Sequence, residues 1–146
     1  AGEHYVAYAL STRGLTVALV RQGAPSIDLL AANMNGSKTI GIQVKTTQSA
    51  ERTRGRGKAK KPFELQFPLG YHAVENASPK IFVCFVDLRG FDLSIPPDVY
   101  IVSSQELMDY YKEMDIRQYS FFRHHRPIVE MERFKNKWEP ITDLLL

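Results

Sequence analysis

A single cysteine, Cys84, rules out an internal disulfide in this 146-residue chain. It lies in the apolar run Ile81-Phe82-Val83-Cys84-Phe85-Val86, so a buried, inert thiol is expected. No apolar stretch approaches the roughly 20 residues that span a bilayer, and no signal-peptide pattern opens the chain. These absences point to a soluble, cytoplasmic protein with no membrane partner. The chain opens on Ala1 rather than methionine, already in helix-like sequence, so residues upstream of it are expected. Residues 48–62 lose apolar character and mix glycines with charges, the composition of a mobile loop.

What is present is ordinary for a globular protein: 44 % hydrophobic and 24 % charged residues. That suits one domain, 1–146, with a full core. The net charge of +3 is unevenly placed. Residues 51–61 hold Arg52, Arg54, Arg56, Lys58, Lys60 and Lys61 against Glu51, a local +5 that leaves −2 for the remainder. On a mobile loop, such a cluster can clamp a phosphate backbone, adding affinity but little sequence information. The plainer alternative is a solvated loop with no partner. Arg123-His124-His125-Arg126 is a second basic cluster, but adjacent residues of an extended segment point apart, which disfavours metal ligation by the histidine pair. Tyr110, Tyr111, Tyr119, Phe121 and Phe122 read as core rather than as base-stacking platforms. His4 and His72 are assigned no role.

Hydrophobic periodicity places a helix over Gly2 to Arg13, with Gly14 as its C-cap. A first strand runs from Leu15 to Arg21 and is broken by Gly23-Ala24-Pro25. Strands follow over Ser26 to Asn33, Lys38 to Thr47 and Phe63 to Phe67. The continuous apolar run Ile81 to Leu88 reads as a central strand buried on both faces. After Pro96-Pro97 comes the strand Val99 to Val102, then a helix to about Met114, capped by Ser103 or Ser104 with Glu106 near its positive end. Ile116 to Arg133 reads as irregular. A last helix covers Phe134 to Leu145, kinked at Pro140 or beginning its second part there.

The most informative local pattern surrounds Asn35-Gly36, which lies midway between Asp28 and Gln43. Asn-Gly between two strand-like runs is a strong signal for a two-residue hairpin turn, because both central residues need positive φ. Met34 then pairs with Ser37, every cross-strand pair of residue numbers sums to 71, and Asp28 falls opposite Gln43. Opposed residues share a face with Cβ atoms about 5 Å apart, and Lys45 shares that face because strand side chains alternate. A carboxylate, an amide oxygen and an amine thus converge, as a metal-and-water site requires. Taken singly, each has a plainer reading: a polar cross-strand pair, an edge lysine, a helix-start glutamate at Glu3.

Asp28 followed by Gln43-Val44-Lys45 resembles the PD-(D/E)xK nuclease superfamily. So do Gly2-Glu3, Gly14, Asp28-Leu29-Leu30 and Ile42-Gln43-Val44-Lys45-Thr46 in their order. Asp98-Val99-Tyr100-Ile101-Val102 and Asn136-Lys137-Trp138 look like segments of its small bacterial members. The resemblance covers about two thirds of the chain and implies a restriction-endonuclease-like α/β fold, a central mixed β-sheet flanked by helices. It further implies a Mg²⁺- or Mn²⁺-dependent endonuclease acting on nucleic acid, with DNA the expected substrate. Asp28 and the Val44 carbonyl would hold the metal, with Gln43 beside them. Lys45 would position the attacking water, and Glu3 would serve as an extra ligand or water contact. The departure is Gln43, where the pattern usually has Asp or Glu. An amide oxygen donates lone pairs but carries no charge, so weaker metal affinity is expected. Many members act as dimers because a duplex has two strands to cut, so a homodimer is a further expectation. The rival readings are a catalytically inactive nucleic-acid-binding module on the same fold, and a protein-interaction domain whose basic loop meets an acidic partner.

Overall fold

The apolar strands of this chain are covered on both sides, and that sets the layering. The structure, a computed structural model, describes residues 1–20, 27–69, 77–113 and 123–146. The chain begins with helix α1 (Gly2–Ser11) and strands β1 (Thr16–Leu19), β2 (Leu29–Ala32) and β3 (Thr39–Thr47). A hairpin of β4 (Glu51–Arg54) and β5 (Lys61–Pro68) follows, then β6 (Ile81–Asp87) and β7 (Asp98–Ser103). The rest comprises α2 (Ser104–Glu113), β8 (Arg123–Pro127), α3 (Ile128–Met131) and α4 (Glu139–Leu145). Five strands form a mixed sheet in the order β1-β2-β3-β6-β7, parallel only between β3 and β6. A second, three-stranded sheet has the order β4-β5-β8. The expected α/β architecture with a central mixed sheet and flanking helices is what forms.

On one face of the main sheet, Ile40, Ile42, Val44, Cys84 and Val86 pack against Val6 and Leu10 of α1 and against Trp138, Ile141 and Leu145 at α4. On the other, Val83, Phe85 and Tyr100 meet Leu65 and Phe67 of β5 with Leu107, Tyr111 and Met131. Strand β6 is therefore apolar at every position up to Asp87, as a strand buried on both faces must be. Burying a side chain such as Phe85 contributes roughly 2–3 kcal/mol relative to exposure. Burial pushes the Cys84 thiol up to about 12, so it stays protonated and inert. Among the described residues no helix is long and apolar enough to cross a membrane.

The hairpin register agrees with the expectation while the turn does not. Leu29 pairs with Ile42 and Ala32 with Thr39, numbers that again sum to 71. The ladder stops there, and residues 33–38 form a wider loop. Gly36 N–H donates to the Asn33 carbonyl at 3.0 Å, and Gly36 alone of the two central residues takes positive φ (72°). Asn33 spans the loop: its Oδ1 accepts Lys38 N–H at 3.0 Å and its Nδ2 donates to Ser37 Oγ at 2.9 Å. That side-chain brace preserves the register without a two-residue turn.

Three further expectations are corrected. The stretch 48–62 is not a loop throughout, since it contains β4 and the start of β5. Its outer face is charged, whereas the burial that fixes it comes from Ala50 before it and from Leu65 and Phe67 after it. Gly55 (φ 95°) makes the reversal, and any Cβ there would meet the Ala59 carbonyl. The tract read as irregular contains β8 and α3, because its inward alternation is carried by His124 and Arg126 instead of aliphatic residues. The last helix begins at Glu139, with Pro140 in its first turn, where a missing N–H costs nothing. Residues 134–138 instead carry Asn136 at φ 54°, whose Oδ1 accepts Val99 N–H at 2.9 Å and so clamps β7. Asp98-Val99 and Asn136 are thus joined as scaffold. Gly23-Ala24-Pro25, His72, Met114, Tyr119, Phe121 and Phe122 lie outside the described residues.

Candidate active site

Strand β3 outruns β2. Its pairs with β2 end at Ile42, while its pairs with β6 continue to Thr47. Backbone groups of a strand alternate in direction. Gly41 N–H donates to the Lys80 carbonyl and Leu88 N–H to the Thr47 carbonyl, so the odd-numbered residues hydrogen-bond toward β6. Ile42, Val44 and Thr46 therefore present N–H and C=O to the opposite edge, where β2 has ended. Asp28 occupies the first open place. Its N–H donates to the Ile42 carbonyl at 2.9 Å and its own carbonyl accepts Val20 N–H at 2.9 Å, holding it between β1 and β3. Its Oδ2 accepts Val44 N–H at 2.7 Å, replacing the next carbonyl of the ladder. The carboxylate is thereby fixed on the edge to which the Val44 carbonyl also points.

The β2–β3 pairing ends at Leu29–Ile42, one residue short of the expected Asp28–Gln43 pair, and Gln43 is only 7 % exposed. Its amide has no hydrogen-bond partner among the described residues. Lys45 is half-buried on the same face as Gln43 and makes no ion pair within 4 Å among them. Glu3 is exposed in the first turn of α1. That turn rests on β3: a Cβ at Gly2 would collide with the Thr46 side chain. The structure thus brings Asp28 to the Val44 backbone, with Gln43 and Lys45 on either side of Val44 along β3. Glu3 stands at the same end of β3, without a hydrogen bond to the others. No three His, Cys, Asp or Glu side chains converge among the described residues. The donors at this edge are a carboxylate, a backbone carbonyl and an amide, all hard oxygen ligands. Such a set fits Mg²⁺ or Mn²⁺ better than a metal that favours thiolate or imidazole.

The basic residues separate into different environments. Arg52 is half-buried, and its Nη1 donates to the carbonyls of Ser49 at 2.9 Å and Glu51 at 3.1 Å. Arg54 lies over the Phe63 ring at 5.1 Å. Arg56, Lys58, Lys60 and Lys61 are exposed around the hairpin tip. In β8 the residues alternate as an extended strand requires, with His124 and Arg126 inward and Arg123 outward. His124 stacks on Phe85 at 4.7 Å and its Nδ1 is 2.6 Å from the Tyr111 hydroxyl. Burial, then the charges of Arg126 and His125, lower its pKa to about 3, so the imidazole is neutral. Arg126 packs over Tyr110 at 4.1 Å, with Glu106 and Glu130 each 3.9 Å away. The histidine pair is therefore a structural feature of the second core, not a metal site.

One positioning residue escaped sequence reading. Asp87 is buried at the end of β6, and its Oδ1 accepts N–H groups of Ala50 at 3.2 Å and Arg89 at 2.9 Å. It ties the chain leaving β3 to the end of β6 and so aims the basic hairpin. The available signal was an acidic residue closing a long apolar run.

No family model and no curated protein sequence matches this chain. The solved structure of a bacterial homing endonuclease is similar to it, with a TM-score of 0.56 at 11 % identity, over 97 % of this chain and 86 % of that one. At that identity the likeness shows a shared fold.

Proposed function

We propose that the chain is a metal-dependent endonuclease of the PD-(D/E)xK type, hydrolysing phosphodiester bonds of DNA at the open edge of β3. The observation that carries this reading is the 2.7 Å hydrogen bond from Val44 N–H to Asp28 Oδ2, which sets a carboxylate and a carbonyl on one unpaired edge. The fold shared with a homing endonuclease supports it. Asp28, the Val44 carbonyl and the Gln43 amide oxygen would hold Mg²⁺ or Mn²⁺, with Glu3 available as an outer contact. When bound, such an ion polarises the phosphate and lowers the pKa of water. Lys45 holds the attacking water by a hydrogen bond to its oxygen and offsets the charge that builds on the phosphate. The water oxygen bonds to phosphorus and gives up a proton to solvent as the P–O bond to the departing sugar opens, and that sugar oxygen takes a proton from solvent.

A second reading is favoured by one feature, the amide where a second carboxylate is usual: a DNA-binding module on this fold that does not cut. Supercoiled plasmid incubated with the purified chain and Mg²⁺ or Mn²⁺ distinguishes the two. Nicking that Asp28→Ala and Lys45→Ala each abolish supports the enzyme. Cleavage that survives both substitutions refutes this site. Salt-sensitive binding with no cutting and no heat of metal binding selects the second reading.

A further inference from the structure

Beyond the end of β3 lies a cleft of about 350 Å³, bordered by Thr46, Thr47, Gln66, Arg52 and Arg123. It begins one residue past Lys45. From Lys45 to Thr47 the strand advances roughly 7 Å, the scale of one nucleotide step. Arg52 and Arg123 come from the two outer strands of the second sheet, on either side of β5, which supplies Gln66. No acidic side chain lines the cleft among the described residues. Two carboxylates lie next to the lining by register and both are engaged: Glu64, opposite Arg52, accepts Gln66 Nε2–H at 2.8 Å and lies 3.6 Å from His125 Nδ1, and Asp87, beside Thr47, accepts the N–H groups of Ala50 and Arg89. Neither Arg52 nor Arg123 has an ion-pair partner within 4 Å among the described residues. Arg52 is nonetheless anchored, because one nitrogen, Nη1, makes both of its carbonyl bonds and its remaining donors stay available. Two guanidinium groups, the Thr47 hydroxyl and the amides of Gln48 and Gln66 around a concave space with no carboxylate in its lining form a receptor for an anion with several oxygens.

We propose that this cleft is a phosphate subsite, binding the sugar–phosphate backbone of a nucleic acid strand next to the phosphate presented to Lys45. It rests on the proposed function for the identity of the strand, but it assigns Arg123, Gln66 and Thr47 a role that the hairpin tip does not share. Arg52 and Arg123 act here as positioning residues. They fix where the strand lies along β3, and so which phosphate reaches the edge at Asp28.

The test measures binding of the full chain to a short labelled DNA duplex in EDTA, so that cutting plays no part, over a series of salt concentrations. Removing one cation that neutralises a phosphate lowers the slope of log K against log salt by about 0.9. Arg52→Gln and Arg123→Gln should each lower it by about that amount and the double variant by about twice as much. Lys112→Gln, on the exposed side of α2, should leave it unchanged. Circular dichroism melts confirm that the variants fold. An unchanged slope in Arg123→Gln, or an equal decrease in Lys112→Gln, overturns the subsite. If the slopes change as expected but no metal-dependent cutting is found, the enzyme reading fails and the subsite stands.

Discussion

Replacing Gln43 with glutamate restores the charge that the site lacks, and the consequence can be worked out from the register. Extending the hairpin register by one residue would set residue 43 opposite Asp28, with Cβ atoms about 5 Å apart. Two carboxylates at that separation, with an effective dielectric constant of about 20, repel by about 3 kcal/mol. Solvent reaches the half-buried Asp28, which reduces the penalty to about 2 kcal/mol. For a 146-residue chain this is a drop in Tm of about 7 °C at pH 7 without metal. Repulsion raises the carboxyl pKa in the folded state, so the folded protein binds more protons than the unfolded chain. The penalty is therefore absent below about pH 4 and grows as pH rises toward 7. A divalent cation reverses the sign. At about 100 times its Kd it returns about 2.7 kcal/mol to whichever form binds it. Thermal melts of Gln43→Glu and wild type at pH 4 and pH 7, with EDTA or Mg²⁺, check each arm. The expected pattern is a metal-free loss at pH 7 only, and a larger Mg²⁺-induced rise than wild type shows. A variant as stable as wild type at pH 7 in EDTA would falsify the placement of Gln43 beside Asp28.

Other perturbations read other parts of the same frame. Asp28→Ala leaves Val44 N–H without its partner and should cost about 1.5 kcal/mol in urea unfolding, whereas Asp28→Asn, which still offers an oxygen, should cost about 0.5. Equal costs would mean the hydrogen bond does not hold the edge. Gly2→Ala places a methyl group against the Thr46 side chain, so α1 must shift from β3 at about 1–3 kcal/mol, visible as a lowered denaturation midpoint. His124, neutral when folded, has its pKa lowered to about 3, so the stability it supports is present above about pH 6.5 and is lost as pH falls toward 3. Between pH 6.5 and 5 that is about 2 kcal/mol at 1.4 kcal/mol per unit. His124→Phe should flatten this part of the pH–stability curve, and an unchanged slope would refute the assignment.

Where sequence alone was informative, periodic burial explains why. The β3 and β6 segments alternate or run apolar because neighbours cover both their faces, and the β2–β3 register from Leu29–Ile42 to Ala32–Thr39 was legible because register needs only one fixed pair. The turn was misread because the Asn33 side chain, not the dihedral preference of Asn35, closes the loop. Strand β4 was invisible because an edge strand with a solvated face shows charge instead of hydrophobicity. Strand β8 was invisible because its inward positions are His124 and Arg126. Aromatic rings accommodate both: the imidazole stacks neutral on Phe85, and the guanidinium lies between Tyr110 and Phe134. No hydrophobicity pattern registers a polar residue buried in that way.

The same point bears on the site. Residues read from motif order, Asp28, Gln43, Val44 and Lys45, lie on one strand and its neighbour, where spacing fixes geometry. Arg52, Gln66 and Arg123 come from three strands of a second sheet and share a cleft through the β4-β5-β8 pairing, with Asp87 tying the chain leaving β3 to the end of β6. A charge count over residues 51–61 could find the basicity but not its division. Arg52 faces a cleft beside the open edge, while Arg56, Lys58 and Lys60 lie out at the hairpin tip. If the cleft and the edge act together, the hairpin is the element that sets the strand's path across β3. Asp87→Ala should then weaken cutting through KM more than through kcat, because it removes the acceptor that aims the hairpin and leaves Asp28, Gln43 and Lys45 in place.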